Sequence, residues 1–338
     1  MKKKLFILMI VVLLLSSVLA ACGTKDDKSG AASSSEPIKI ALSPWPGWFV
    51  WYLVKEKGFF EKHGVNAELV YFPVYSDSLS ALATGKVDAN SQTLSDTLAP
   101  ASKGIALKAV LVNDNSNGGD GLVVKPEFNS ITDLKGKKIA TELGTVDHLL
   151  MLTALDKFGM KENDVKYTNM TVNDAGPAFI SGNLDAAVLW EPFLSKAIAE
   201  GKGKLLFSSK ETPGLIPDLL VFKESVTKNR PEDVKNILLA WFDALDYWQK
   251  NPEESMKIMA KAAETPIDEY KLGVDSVKIF TKEDNLKAFT AGTDYNSLYF
   301  TANKTAEFLK GLDMLTSIPD PKSFLDSSFI EAIIKESK

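Results

Sequence analysis

The sequence predicts an α/β fold of two lobes, and three observations carry that prediction. Short apolar runs alternate with helical segments through two successive stretches of the chain, a rhythm that builds parallel strands with helices on the sheet faces. The densest turn cluster, Asn113 to Gly121, separates the two stretches. Beyond Arg230 the pattern turns helical. About 300 residues take part, more than one core usually holds, which suits two lobes.

In the first stretch Pro37–Leu42 alternates and reads as an opening strand. Trp45 to Phe60 reads as a loop and then a helix, closed by Gly64. Ala67–Phe72 is the next strand, and Ser76 is placed to cap a helix Asp77–Thr84 that stops at Gly85. Val87–Asn90 is a short strand, Asp96–Ser102 a helix and Ile105–Val112 a strand. After the turn cluster, Leu122–Val124 opens the second unit. Its strands are Lys138–Thr141, Val165–Asn169 and Ala186–Trp190, alternating with helices Thr145–Phe158, Asp174–Ser181 and one from Pro192. Leu219–Phe222 is a further strand after Pro217. Everything beyond Arg230 reads as helices, Pro231–Lys250, Pro252–Ala263, Pro266–Val274 and Thr301–Leu312, with proline at or near several starts.

The chain is therefore expected to cross between lobes twice, near 121–124 and 217–221. Residues 37–121 and 219–338 make the first lobe and 122–218 the second, with the C-terminal helices packed on the first. A cleft between such lobes lies at the carboxyl ends of the strands, where α/β ligand sites form.

The N-terminus has its own logic. Lys2, Lys3 and Lys4 precede an unbroken apolar run, Leu5–Leu15, which is short for a membrane span. Small residues follow at Ser16, Ser17, Ala20 and Ala21, and then comes the only cysteine, Cys22. Leu19-Ala20-Ala21-Cys22 resembles a bacterial lipoprotein signal. The resemblance implies loss of residues 1–21, lipid on Cys22 and a domain held on the extracytoplasmic face of the membrane. Two acyl chains suffice for stable attachment. Residues 22–36 are small and polar and read as a flexible tether. With Cys22 lipidated no thiol remains, which excludes disulfides, thiolate metal sites and cysteine nucleophiles.

Charge narrows the partners. The chain holds 39 basic and 44 acidic residues; without the three leading lysines the balance is 36 against 44, about −8. An acidic chain is a poor match for nucleic acid. Arg230 is the only arginine, so a bound anion would be held by backbone N–H groups, hydroxyls or lysine rather than a guanidinium fork. Enzyme signatures are scarce. The sequence has no Gly-x-Ser-x-Gly elbow, no His-Glu-x-x-His and no phosphate-cradling loop. Asp114–Gly118 resembles the start of a calcium loop, but Lys125 stands where the bidentate glutamate belongs. No cofactor or metal is expected.

Four stretches carry a family resemblance: Glu56–Gly64, Ser80–Ala89, Ile131–Ala140 and Asp185–Phe193. In this order, behind a lipoprotein signal, they resemble the substrate-binding proteins of ABC importers. The branch is that for nitrate, alkanesulfonates and taurine, with relatives that bind a pyrimidine precursor of thiamine. The likeness covers residues 38 to about 250. It implies a type II periplasmic-binding-protein-like fold, no catalysis, capture of a small solute, and partnership as a monomer with ABC permease and ATPase subunits.

Candidate contacts follow from the predicted strand ends. Gly144–His148 opens a helix after a strand, and its free N–H groups and dipole favour an anion at Thr145 and Val146. Thr145 is equally placed as a plain N-cap. His148 at a helix N-terminus is expected neutral, and His63 is expected on the surface. Trp45 and Trp48, in the loop after the first strand, offer flat faces to a methylene chain or a cation; Trp51 and Tyr52 read as core. Tyr75, Ser95 and Trp190 complete the uncharged set. Asp96, Asp120, Glu142 and Glu191 cluster at cleft ends and, with no arginine to answer them, point to a positive group on the ligand. A zwitterion such as taurine satisfies both ends, and the expected solute is a small sulfonate- or taurine-like zwitterion or anion; a cationic or aromatic solute such as a thiamine pyrimidine precursor is the alternative, and a surface lipoprotein enzyme a more distant one.

Overall fold

A computed structural model describes residues 36–336. The signal segment, lipidation at Cys22 and all of the tether but Glu36 lie outside the described residues. Eleven strands run in chain order among these residues: β1 (Ile38–Leu42), β2 (Ala67–Tyr71), β3 (Ala89–Thr93), β4 (Leu107–Ser116), β5 (Asp120–Val124), β6 (Lys138–Thr141), β7 (Lys166–Asn169), β8 (Ala186–Trp190), β9 (Lys204–Ser208), β10 (Pro217–Lys223) and β11 (Val277–Ile279).

They form two sheets, ordered β11-β4-β10-β3-β1-β2 and β7-β6-β8-β5-β9. The chain leaves the first sheet after β4 and returns to it with β10, so it crosses twice, at 117–119 and 209–216. Both crossings lie slightly N-terminal of the expected positions. The parallel sheet expected from the alternating rhythm is corrected to a mixed one. β1 is parallel to β2 and β3, and β6 to β7 and β8. β10 is antiparallel to β3 and β4, and β5 to β8 and β9. The reason is topological. A strand that arrives from the other lobe enters its sheet at the cleft end, where its neighbours finish. The carboxyl ends of β1–β4 and β6–β9 therefore share one cleft with the first residues of β5 and β10.

The turn cluster is the largest local correction. Asn113, Asp114, Asn115 and Ser116 are not turn residues but the buried end of β4; only Asn117–Gly119 is left as the turn. Their turn propensity is overridden by strand pairing with β10 and β11. β3 is similar: Ala89-Asn90-Ser91-Gln92-Thr93 is polar yet wholly buried. Its amides are drawn into a network, Asn90 Nδ2 donating to Ser78 Oγ (3.1 Å) and Gln92 Oε1 (3.0 Å), and Gln92 Nε2 to Thr97 Oγ1 (2.9 Å). β9 and β11, both sheet-edge strands, go unread in the sequence pattern, and β11, three residues long, interrupts a region read as all helix.

The helix read as Asp77–Thr84 starts at Tyr75 and is preceded by Val74, so Ser76 lies inside it and caps nothing. His63 is not a plain surface residue: its Nε2 lies 2.6 Å from Asp243 Oδ2 on helix Pro231–Lys250. That helix packs on the helices Val50–Glu56 and Phe59–Lys62 of the first lobe. The joint is aromatic. Trp51, fully buried, lies 4.5 Å from the Trp241 ring and stacks on Phe60, while its Nε1 donates to Ser91 Oγ at 3.0 Å.

Trp51→Ala should therefore lower the unfolding free energy by about 3–5 kcal/mol, the usual cost of emptying a large aromatic site. Urea denaturation monitored by circular dichroism measures it.

Candidate functional site

The shared cleft closes on a small cavity of about 20 Å³, room for roughly one water. The loop after β1 supplies Pro44, Trp45 and Trp48, and the first residue of helix Tyr75–Ala83 supplies Tyr75. Thr93 ends β3, Asp120 opens β5, Val146 opens helix Val146–Lys157, and Trp190 ends β8. Ile216 and Asp218 flank the start of β10. Every wall thus comes from a strand end or the segment next to it.

Four aromatic rings form a row across the lobes. Trp45 and Trp48 lie 6.3 Å apart, Trp48 and Tyr75 5.6 Å, and Tyr75 meets Trp190 edge-to-face at 5.6 Å. Such pairs add about 0.5–1.5 kcal/mol each beyond their burial. Trp45 is fixed by its indole N–H, which donates to Asp114 Oδ1 at 2.9 Å. Gly47 permits this approach, since a Cβ there would fall 2.1 Å from Asp114 Oδ2.

Around the row, seven acidic residues are buried: Asp96, Asp114, Asp120, Glu142, Asp147, Glu191 and Asp218. No lysine or arginine is buried among the described residues. Burial pushes Asp96, Asp114 and Asp120 up to about 7. It raises Asp147 and Asp218 further, with the charges of neighbouring carboxylates adding to the effect. Glu142 and Glu191 are also raised by burial, each held back by a serine, Ser76 and Ser195 respectively.

The helix start at Val146 is the expected anion seat, and an internal carboxyl group already sits there. Asp96 Oδ2, from the first lobe, accepts from Val146 N at 3.3 Å and from Thr93 Oγ1 at 2.9 Å. The carboxylate answers the dipole and the free N–H, and it also ties the lobes together. Thr145 makes no cap; its hydroxyl donates back to Glu142 O at 2.8 Å.

Of the residues proposed from sequence, Trp45, Trp48, Tyr75, Asp120, Val146 and Trp190 line the cavity, and Asp96 stands directly behind it on the Val146 amide. The others do not line it. Ser95 is bonded to Thr93 Oγ1 at 2.9 Å. Glu142 faces Ser76 at the seam between lobes. Glu191 is consumed within its own turn, accepting from Ser195 Oγ at 2.7 Å and Ser195 N at 3.3 Å. His148 lies edge-to-face on Tyr167 at 5.2 Å, and burial lowers its proton affinity. Sequence reasoning missed Pro44, Thr93, Ile216 and Asp218 on the wall, and Asp114 and Asp147 behind it. Asp218 had a signal, a lone acid between Pro217 and an apolar strand at a predicted crossing. Asp114 was hidden in the apparent turn cluster.

Residues 45–255 match the family described as NMT1/THI5 like. The chain belongs to the NMT1/THI5-like family. Among relatives of this family member, a chain of Brucella abortus (strain 2308) named for an unspecified binding role is 29% identical over 307 residues, 89% of this chain and 94% of that one. The taurine-binding periplasmic protein of Escherichia coli (strain K12) is 26% identical over 238 residues, 67% of this chain and 69% of that one. The crystal structure of the periplasmic aliphatic sulphonate binding protein from Escherichia coli superposes with a TM-score of 0.70 at 22% identity, covering 86% of this chain and 92% of that one. The resemblance drawn from the four sequence stretches holds, and so does the expected fold: two-lobed α/β, of the periplasmic-binding-protein type.

The buried acids make stability depend on pH in a definite direction. A free aspartate titrates near 3.9, while Asp96, Asp114 and Asp120 titrate at about 7 in the folded state. Between those values the folded state binds more protons than the unfolded state, so stability falls as pH rises. Without solute, the protein should melt at higher temperature at pH 5 than at pH 8. Asp120→Asn should narrow the difference. Calorimetric scans across pH 4–8 measure both.

Proposed function

We propose that this chain is the extracytoplasmic solute-capturing component of an ABC importer, lipid-anchored through Cys22, and that its solute carries a protonated nitrogen. One observation carries the reading: an aromatic cavity between two lobes is surrounded by buried carboxyl groups, with no buried lysine or arginine to neutralise them. Buried charge is tolerated when it is paired, and a ligand cation would supply the missing partner. The aromatic faces add cation–π attraction and contact for an apolar body. The solute would be held by both lobes and released by a hinge motion about the two crossings. Residues 36–119 with 217–336 would act as one lobe and residues 120–216 as the other, with permease and ATPase subunits as partners and no chemistry on the solute.

The relatives support a small polar solute. Taurine pairs an ammonium with a sulfonate, so its ammonium suits the acidic floor. Its sulfonate could take the Val146 amide if Asp96, poised near neutrality, released it. A plain alkanesulfonate offers the carboxyl groups nothing. A second reading, a flat aromatic cation such as a thiamine pyrimidine precursor, is favoured by the row Trp45–Trp48–Tyr75–Trp190, whose faces suit a planar ring.

Thermal shift with taurine, an aminopyrimidine and ethanesulfonate tests the reading. At a hundredfold excess over Kd a true ligand stabilises by about 2.7 kcal/mol. Taurine or the aminopyrimidine should raise the melting temperature, and ethanesulfonate should not. A response to ethanesulfonate alone would sink the cation reading, and turnover of a bound solute would sink the transport role. Separately, Cys22→Ala should move the chain from the membrane to the soluble fraction and abolish labelling by a palmitate analogue.

A further inference from the structure

Two carboxyl groups on the cavity floor stand apart from the rest. Asp120 is the first residue of β5 and Asp218 the second of β10, so each sits where a crossing enters a lobe. Both line the cavity, both are only 2% exposed, and in each Oδ2 is buried with no hydrogen-bond partner. The neighbours of these groups are already engaged. Ser116 bonds the Asp120 carboxyl. Asp218 lies opposite Asp114 in the β10–β4 register and shares a hydrogen bond with it. Asp114 in turn holds Trp45. The remaining buried acids have other tasks or positions: Asp96 on the Val146 amide, Glu191 on Ser195, Glu142 at the seam, and Asp147, whose two oxygens are also unbonded, off the cavity wall.

The aromatic row is packed ring against ring, with a closest centroid spacing of 5.6 Å. It makes a wall beside the floor rather than an open cage around a cation. Resting on the reading of the cleft as a cation site, we propose that the solute's cationic nitrogen is seated between Asp120 and Asp218 and donates an N–H to each. The ligand class is then primary ammonium or amidinium-type solutes, and quaternary ammonium solutes are rejected. A quaternary nitrogen has charge but no donor, so it would leave both Oδ2 atoms buried and unbonded, and sites built to bond a donor discriminate strongly against analogues lacking it. Because the two carboxylates belong to opposite lobes and stand on the crossings, a nitrogen bonded to both also ties the lobes together at their joint.

Calorimetry on the full chain tests this with matched pairs: taurine against N,N,N-trimethyltaurine, and benzylamine against benzyltrimethylammonium. The primary amine of at least one pair should bind, about ten- to a hundredfold more tightly than its methylated partner, the range set by charged hydrogen bonds. Asp218→Asn and Asp120→Asn should each weaken the amine by at least about tenfold and shrink the ratio within the pair. Simple steric exclusion of the methyl groups would leave that ratio unchanged. A quaternary partner binding as tightly as its amine, or an Asp218→Asn protein with wild-type affinity and ratio, overturns the seat and leaves the cation reading standing. Failure of every cation, methylated or not, to bind overturns both.

Discussion

The structure turns on burying acid without buried base. Among the described residues every fully buried acidic side chain belongs to the set around one cleft, and no lysine or arginine is buried with them. A lone buried carboxylate is costly, and the fold meets that cost in two ways. Some groups collect donors that favour their charged form: Asp96 takes a helix amide and a threonine hydroxyl, Glu191 takes Ser195. At others, Asp147 and Asp218, burial and the neighbouring carboxylates shift the balance towards the neutral acid. Asp120 keeps a free oxygen on the cavity floor.

The same groups connect the lobes. Asp96 on the first lobe bonds Val146 on the second, and Tyr75 meets Trp190 across the same gap. Contacts around the cavity are therefore also contacts between the lobes. In the proposed role, a solute that competed with Asp96 or inserted beside Tyr75 would act on the balance between open and closed arrangements, and could shift it only by its difference in affinity for the two. The polar interior of β3 plays a supporting part. Its Asn90–Gln92–Thr97 network holds a hydrophilic strand rigid beneath Thr93 and Asp96, which keeps those side chains aimed at the second lobe.

Much of the fold was legible in residue pattern. The parallel strands β1, β2, β6, β7 and β8 are apolar or alternating runs between helices with clear stops, so they could be read directly. The site was legible where chemistry and position coincided, as for Trp45, Trp48, Asp120 and Trp190, which follow or end recognisable strands. It was illegible where tertiary pairing overrode local preference. Asn113–Ser116 has turn composition, yet β10 and β11 draft it into β4 and hide Asp114 there. Glu142, Glu191 and His148 fell at the right strand ends and helix starts, but their side chains turned to nearer partners. Spacing along a strand cannot show which of two neighbours a carboxylate will choose.

The sequence by itself determined the class: periodicity dictates two α/β units, four ordered stretches dictate the family, and an acidic composition with a single arginine dictates that guanidinium partners are all but unavailable to the buried acids. Those properties are local or compositional, and they survive without coordinates. Only the tertiary structure decided which acids face the cavity and which are spent elsewhere. It also showed that the anion seat at the second lobe's helix is taken by Asp96, and that Asp218, inconspicuous in the chain, shares the floor with Asp120. The physical reason is that a carboxyl group's role depends on donors within about 3 Å, and in this fold those donors come from the other lobe or from strands distant in sequence.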